Sequence, residues 1–145
     1  MYFVDREKIE QTLIYLEDTI NIYESQKEWN SLLEKKALER MVQMMIETIL
    51  DVGNSMIDGF IMRDPGSFED IIDILEDEKV VQNEDAKALK DIISHRKQLV
   101  QHYLDINHQS LIETVDQHLD VLKRFPIQVR AYLENELGPV SAFRK

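Results

Sequence analysis

Apolar residues recur at every third or fourth position along most of this chain, with polar residues between them. Such spacing places the apolar side chains on one face of an α-helix. Near the start, the pattern predicts a first helix with Asp5 as its N-cap. The apolar face of this helix consists of Ile9, Leu13, Leu16, Ile20 and Tyr23.

A second and longer helix is predicted to begin at a capping box. Ser31 and Glu34 have the spacing at which each side chain can bond the backbone of the other. The helical period then continues for more than six turns, and we expect the helix to end near Met62. Its apolar positions are Ala37, Leu38, Met41, Met45, Thr48, Ile49, Val52 and Met56.

Two further helices are predicted before the last third of the chain. The turn Asp64-Pro65-Gly66 is followed by a short helix that begins at Ser67. Asn83 is the predicted N-cap of the next helix, which continues through Tyr103. The short helix contains Ile71, Ile72 and Leu75, and the next one contains Ala88, Leu89, Ile92, Leu99 and Val100.

The last helix is predicted to follow an interruption at residues 105–107, with Asn107 as its cap. Pro126 should kink this helix or begin a new segment, because proline removes one backbone donor and clashes one turn back. Gly138-Pro139 is expected to end it. The apolar positions of this helix are Leu111, Val115, Leu119 and Leu122.

These elements predict an all-α fold in a single domain, residues 1–145. Four long helices and one short helix, joined by short connections, bury their apolar faces best as an antiparallel up-and-down bundle. Some apolar residues lie off the main faces, which suggests a second surface to cover and therefore an oligomer. These residues are Ile14, Ile22, Met44 and Ile46.

The composition agrees with this prediction and excludes several other classes. Only 4 Gly and 3 Pro occur, whereas average usage gives roughly 17 of the two together. So few turn-forming residues exclude a β-sandwich. The absence of cysteine excludes disulfides and cysteine-type zinc sites. No apolar run approaches membrane-spanning length, so we expect a cytoplasmic protein. The net charge of −11 opposes extended binding to DNA or to an anionic membrane, so we expect neither as a partner.

The acidic charge is unevenly distributed. Residues 64–91 contain ten acidic residues and three lysines, which we interpret as a solvated face. A metal site would need carboxylates that converge from different helices, and the spacing does not indicate this. Residues 92–104 and 121–133 contain no acidic residue, so a phosphate would bind best there. The second of these segments carries Lys123, Arg124 and Arg130.

The segment 92–104 combines residue types that can act on a phosphodiester. On a continuous helix, Arg96 and Tyr103 would lie within about 20° of one another, with His95 and His102 as a parallel pair beside them. Two histidines seven apart on one helix cannot share a metal ion, and His108 and His118 are isolated, so no metal site and no cofactor are expected. An arginine could stabilise the transition-state charge while histidine or tyrosine moves protons.

The run from Arg96 to Tyr103 resembles the signature of HepT-like proteins, a branch of the HEPN ribonucleases, in which arginine is followed after four residues by histidine, any residue and tyrosine. Residues 48–57, with Asp51 and Asn54 three apart, are similar to the family's second helix, and residues 65–70 are similar to the start of its short third helix. The resemblance covers about residues 37–122, and the YutE-like subgroup is the most similar.

The resemblance implies a dimeric helical bundle that acts as a metal-independent ribonuclease toxin on RNA. It also implies a partner, a minimal nucleotidyltransferase antitoxin that silences the toxin by transferring AMP from ATP onto the signature tyrosine. By position, Arg96 matches the catalytic arginine and Tyr103 the modified tyrosine. Asp51 and Asn54 match polar positions that orient the site.

One departure from the signature concerns the catalytic histidine. Gln101 occupies its position, and an amide does not exchange a proton near neutral pH. His102 is one residue later, about 100° around a helix, so it needs a register shift, a local bulge or the facing protomer to act instead. Three hypotheses remain open: a ribonuclease toxin that uses Arg96 and His102, a binding module without catalysis, and a structural polar cluster at a dimer interface.

Overall fold

The structure, a computed structural model, describes residues 3–138, and all regular elements in this range are helical. The predicted all-α bundle is confirmed, although the chain is divided into more helices than the pattern predicts. Seven α-helices and one 3₁₀ turn are present in the described range. They are α1 (Arg6–Ser25), α2 (Leu32–Gly59), α3 (Phe68–Asp77), α4 (Asn83–Ile93), α5 (Arg96–Val100), the 3₁₀ turn Tyr103–Asp105, α6 (His108–Gln117) and α7 (Leu119–Leu137).

The first two helices begin at the caps that the sequence predicts. The carboxylate of Asp5 accepts a hydrogen bond from the Lys8 amide at 3.0 Å. Ser31 Oγ accepts from the Glu34 amide at 3.1 Å, and Glu34 Oε1 accepts from the Ser31 amide at 2.9 Å, which completes the capping box. Both helices therefore begin where local hydrogen bonding satisfies their free amides.

The long helices α1 and α2 pack against each other and form the centre of the core. The predicted apolar face of α1 is buried throughout; α7 packs against α1, and α3, α5 and α6 pack against α2. Of the four residues predicted to lie off the main faces, Ile14 and Ile22 are exposed, Met44 is half-buried and Ile46 is fully buried. The exposed apolar positions of this set therefore lie on α1, because α2 contacts several helices and buries more than one face.

Helix α2 ends at Gly59, three residues before the predicted end at Met62. The N-terminal segment lies against this end, where the Phe3 amide donates to the Gly59 carbonyl at 3.0 Å. A Cβ on Gly59 would lie 2.7 Å from Val4 Cγ2, so only glycine permits this approach. Helix α3 begins as predicted, because Ser67 Oγ accepts from the Asp70 amide at 3.1 Å.

The prediction of one helix from Asn83 through Tyr103 is wrong. Helix α4 ends at Ile93, α5 continues from Arg96 to Val100, and Tyr103 belongs to the 3₁₀ turn. At the first break the Ser94 hydroxyl donates to the Asp91 carbonyl at 2.5 Å, a local bond that bends helices. The break lets the chain change partners, because α4 packs against α3, α6 and α7 whereas α5 packs against α2.

One of the two predicted asparagine caps is confirmed. Asn107 accepts from the Ser110 amide at 3.0 Å and begins α6. Asn83 is instead the first residue of α4 and donates from its side chain to Glu76 at 2.5 Å, while Gln82 holds the N-cap position without a side-chain bond. The tertiary contact to α3 thus replaces the local capping bond.

The last predicted helix is interrupted at His118, and no new segment begins at Pro126, which lies inside α7 and is buried. Proline leaves one carbonyl of the preceding turn without its helical donor, but it can sit within a helix that tertiary packing supports. The helix ends at Gly138, whose φ of 80° suits glycine. Pro139 lies outside the described residues.

Candidate active site

Arg96 is the first residue of α5 and is held from two sides. Its Nε donates to Glu47 Oε1 of α2 at 2.7 Å, and its guanidinium carbon lies 4.5 Å from the centre of the Phe68 ring. The side chain is 27 % exposed, so it is anchored but still reaches solvent. Nη1 and Nη2 make no hydrogen bond to the described residues. A planar guanidinium fixed in this way can still bind a phosphate through its two terminal nitrogens.

Glu47 and Phe68 are two contacts of Arg96 that the sequence analysis did not identify. For Glu47 a signal was available, because Glu47, Asp51 and Asn54 are spaced four and three apart and therefore share a face of α2. Phe68 is 48 % exposed at the start of α3, and its sequence context gives no indication that it lies under an arginine.

The structure brings Asp51 into the electrostatic neighbourhood of Arg96. Burial raises the pKa of the Asp51 carboxyl, the Glu47 carboxylate raises it further, and Lys8 and Arg96 oppose this effect. Asn54 is exposed about one turn farther along α2, and its side chain makes no hydrogen bond to the described residues. Of the two predicted orienting residues, Asp51 interacts with Arg96 electrostatically, whereas Asn54 has no direct contact with it in the described structure.

The chain leaves the α-helical path at Gln101 and His102. The His102 amide donates both to the Lys97 carbonyl at 3.2 Å and to the Gln98 carbonyl at 3.1 Å, so the last turn of α5 is widened. The extra bond to Lys97 is a local departure from the α-helical pattern, and no hydrogen bond or ion pair between His102 and Arg96 accompanies it in the described structure. The side chains of Gln101, His102 and Tyr103 are exposed and form no hydrogen bond within the described range.

The other histidines are engaged in separate contacts. His95 bonds Thr114 of α6 at 2.8 Å, and burial lowers the pKa of its imidazole, which favours the neutral form. The predicted parallel pair of His95 and His102 is therefore wrong, since the helix that would align them is broken. His108 bonds Glu39 at 2.7 Å and His118 bonds Asp91 at 2.8 Å. Within residues 3–138, no three metal-binding side chains converge.

The second predicted phosphate-binding segment, residues 121–133, uses its cations for internal ion pairs. Lys123 pairs with Glu24 of α1 at 2.9 Å, and Arg130 bonds both Glu10 and Glu17 of the same helix. Arg124 pairs with Asp85 of α4 at 2.8 Å. These cations connect α7 to its neighbours, so a phosphate site is better supported at residues 96–103.

The acidic segment 64–91 is not only a solvated face, because several of its carboxylates form ion pairs and one of them is buried. Asp85 is 2 % exposed and accepts bonds from Arg124 and from Gln128 Nε2 at 3.0 Å, so the surface interpretation is wrong for this residue. Lys90 pairs with Asp73, and other carboxylates of the segment pair with Arg63. Ion pairs in the folded chain therefore neutralise part of the acidic charge of this segment.

Residues 9–129 match the family model for ribonuclease HepT-like proteins. The chain belongs to the ribonuclease HepT-like family. It is 52 % identical over 144 residues to YutE of Bacillus subtilis (strain 168), a candidate RNase, a match that covers 99 % of this chain and 100 % of the relative. A solved structure of B. subtilis YutE, described as a cytosolic protein of unknown function, covers the same shares with a TM-score of 0.95.

A more distant structure has the same HepT-like fold. It is a tri-AMPylated HEPN toxin of Shewanella oneidensis in complex with an MNT antitoxin, 17 % identical, with a TM-score of 0.74 over 85 % of this chain and 96 % of the toxin chain. At this identity the similarity establishes the fold. Between residues 3 and 138, no helix combines the length and the apolar composition that crossing a membrane requires.

Proposed function

We propose that this HepT-like protein is the toxin of a toxin–antitoxin pair and cleaves RNA without a metal ion. The observation that carries the proposal is the arrangement around Arg96. Glu47 binds Nε and Phe68 lies against the guanidinium, so the two terminal nitrogens are free to bind an RNA phosphate. In the cleavage step, the ribose 2′-oxygen attacks phosphorus, the bond to the 5′-oxygen breaks, and Arg96 stabilises the added negative charge.

His102 supplies the proton transfer in this proposal. A neutral imidazole takes the proton of the 2′-hydroxyl, and the protonated ring returns one to the leaving 5′-oxygen. Gln101, at the family's histidine position, can bind the phosphate or ribose by hydrogen bonds but cannot transfer the proton. The departure from the α-helical hydrogen-bond pattern at His102 supports this assignment, since on a regular helix His102 would point about 100° away from Gln101. Asp51 and Asn54 act as orienting groups on the neighbouring α2.

Tyr103 is the regulatory residue of the proposal. Its side chain is 62 % exposed and makes no hydrogen bond to the described residues, so its hydroxyl is accessible to an enzyme. The related Shewanella toxin is AMPylated and bound to an MNT antitoxin. By analogy, a minimal nucleotidyltransferase transfers AMP from ATP to the Tyr103 oxygen, with release of pyrophosphate. The added phosphate brings negative charge to a site that binds RNA phosphate, which blocks the substrate.

The proposed active form is a cytoplasmic homodimer. Large apolar side chains are exposed close to the site in sequence, among them Val100 and Leu104, and Leu104 is 88 % exposed. Exposed apolar residues that cluster on one segment are typical of an interaction surface. A second copy would cover them and place two Arg96 side chains at one cleft.

The test is cleavage of a single-stranded RNA by the purified protein in the presence of EDTA. We expect cleavage, a loss of at least a hundredfold in Arg96→Ala and His102→Ala, and no change in Lys79→Ala, which removes an exposed cation elsewhere. Far-ultraviolet circular dichroism verifies that each variant is folded. A wild-type protein that leaves RNA intact, or a cleavage rate that EDTA abolishes, contradicts the proposal.

One observation favours a second candidate function, a binding module that contacts a nucleotidyltransferase without cutting RNA. Gln101 stands where the family has its catalytic histidine. If this hypothesis is correct, wild type is inactive and Gln101→His introduces cleavage. If wild type is active and His102→Ala removes the activity, the second candidate is rejected.

A further inference from the structure

A cavity of about 670 Å³ lies between the end of α1, the start of α2 and the start of α6. Its wall includes Tyr23, Trp29, Lys27, Lys35 and His108. None of these residues belongs to the site around Arg96. The cavity is therefore a separate feature of the molecule that the proposed cleavage does not use.

The aromatic part of the wall is rigid. The rings of Tyr23 and Trp29 are stacked, with centroids 5.5 Å apart and an angle of 21° between the planes. The Tyr23 hydroxyl donates to Asp116 Oδ1 at 2.8 Å, and this bond holds the Tyr23 ring in place. Trp29 is only partly buried and lines the cavity. A further planar ring can therefore extend the stack, as bases do on aromatic side chains.

Two lysines of the cavity wall have no ion-pair partner among the described residues. Glu24 is paired with Lys123 at 2.9 Å, Asp116 is bonded to Tyr23, and His108 is bonded to Glu39. Lys27 and Lys35 have no carboxylate partner among the described residues, and Lys35 is half-buried.

Glu28 has no side-chain partner in the described structure, and Asp116 bonds only the uncharged hydroxyl of Tyr23, so two carboxylates and two lysines of this wall lack an oppositely charged partner. The net charge of the chain is −11, whereas these four groups of the wall balance. The wall is therefore not an acidic surface, and its two lysines can bind an anionic group.

We propose that this cavity binds a nucleotide, with the base stacked on Trp29 and the phosphate bound by Lys27 and Lys35. The ligand chemistry is the same for a free mononucleotide and for one residue of a single-stranded RNA. Glu39, which bonds the cavity residue His108, and Glu47, which bonds Arg96, are eight residues apart on α2. This is about 12 Å along the helix axis, or roughly three to four stacked nucleotides, so one RNA strand can reach both places.

The test uses the intrinsic fluorescence of the full-length protein, because Trp29 is the single tryptophan of the chain. The protein is excited at a wavelength that nucleotides do not absorb and is titrated with AMP, with ribose 5-phosphate and with a short oligoadenylate. We expect saturable quenching by AMP and by the oligoadenylate, and none by ribose 5-phosphate, which has no base. At least tenfold tighter binding of the oligoadenylate identifies RNA as the source of the nucleotide, and equal binding identifies the free nucleotide.

The double variant K27Q/K35Q should weaken AMP binding at least tenfold, whereas Lys79→Gln, which removes a charge outside the cavity, should leave it unchanged. No quenching by either AMP or the oligoadenylate overturns the proposal, and so does a double variant that titrates like wild type. The proposal does not depend on RNA cleavage, because the readout is quenching of Trp29 by AMP: a wild-type protein that binds AMP in this way but leaves RNA intact supports the nucleotide site and contradicts the ribonuclease function.

Discussion

Glu47 and Arg96 are 49 residues apart in the chain, and Glu47 Oε1 accepts a 2.7 Å hydrogen bond from Arg96 Nε. Glu47 belongs to α2 and Arg96 to α5, so this contact joins the centre of the bundle to the broken segment that carries His102 and Tyr103. The bond uses Nε, so it restrains the guanidinium, and neither terminal nitrogen makes a hydrogen bond to the described residues.

Glu47 should therefore position Arg96 for cleavage. We expect Glu47→Ala to lower RNA cleavage at least tenfold and the free energy of unfolding by about 1 kcal/mol, the typical net value of such a bond. Glu47→Gln keeps an acceptor oxygen and should recover most of the cleavage. The measurements are cleavage rates and urea unfolding of the same proteins. A Glu47→Ala variant that is destabilised but cleaves at the wild-type rate would assign Glu47 a purely structural role.

Tyr103 should be the residue that a nucleotidyltransferase modifies. When the protein is produced together with a minimal nucleotidyltransferase and ATP, we expect its intact mass to increase by one or more AMP groups. Tyr103→Phe removes the acceptor oxygen and should abolish the increase. Tyr15→Phe is the matched control, because Tyr15 is also exposed, at 46 %, but lies on α1. AMP found on Tyr103→Phe would contradict the assignment.

Leu104 should lie in the interface of the proposed homodimer. A buried charge opposes association, so we expect Leu104→Glu to shift the protein from dimer to monomer in light scattering coupled to size exclusion. Ile127→Glu introduces the same charge at another exposed position, 62 % exposed on α7, and should leave the dimer intact. Equal behaviour of the two variants would place the interface elsewhere.

Asp85 should make stability depend on pH. The hydrogen bond from Arg124 holds the pKa of the Asp85 carboxyl below its ordinary value, although burial acts in the opposite direction. A pKa that is lower in the folded state adds stability above the unfolded value of about 3.9, and this stability is lost as the pH falls through the folded pKa.

We therefore expect Asp85→Asn to cost about 1–3 kcal/mol at neutral pH, and the difference from wild type to shrink below about pH 4. Urea unfolding at several pH values measures this difference. Asp64→Asn is the control, because Asp64 is exposed and makes no ion pair or hydrogen bond with the described residues, so its effect should stay near zero at every pH. A constant penalty for Asp85→Asn would show that charge is not the cause.

Local sequence signals predicted where several helices begin, because a cap needs only a few neighbouring residues. Asp5, Ser31, Ser67 and Asn107 all accept the bonds expected of them. The same reasoning failed at Asn83, whose side chain bonds Glu76 across the α3–α4 turn instead. A local preference is overridden when a contact outside the helix offers the side chain a better partner.

The sequence by itself determined the all-α class, the buried faces of the long helices and the segment that carries Arg96, Gln101, His102 and Tyr103, because helical periodicity and a short motif are local properties. The tertiary structure decided that this segment is broken, since α4 and α5 pack against different helices. It also decided which cations remain free: Arg124 and Arg130 are paired with distant carboxylates, whereas Arg96 keeps two nitrogens unbound. Ion pairs between distant helices depend on the packing of the whole chain, so no local pattern encodes them.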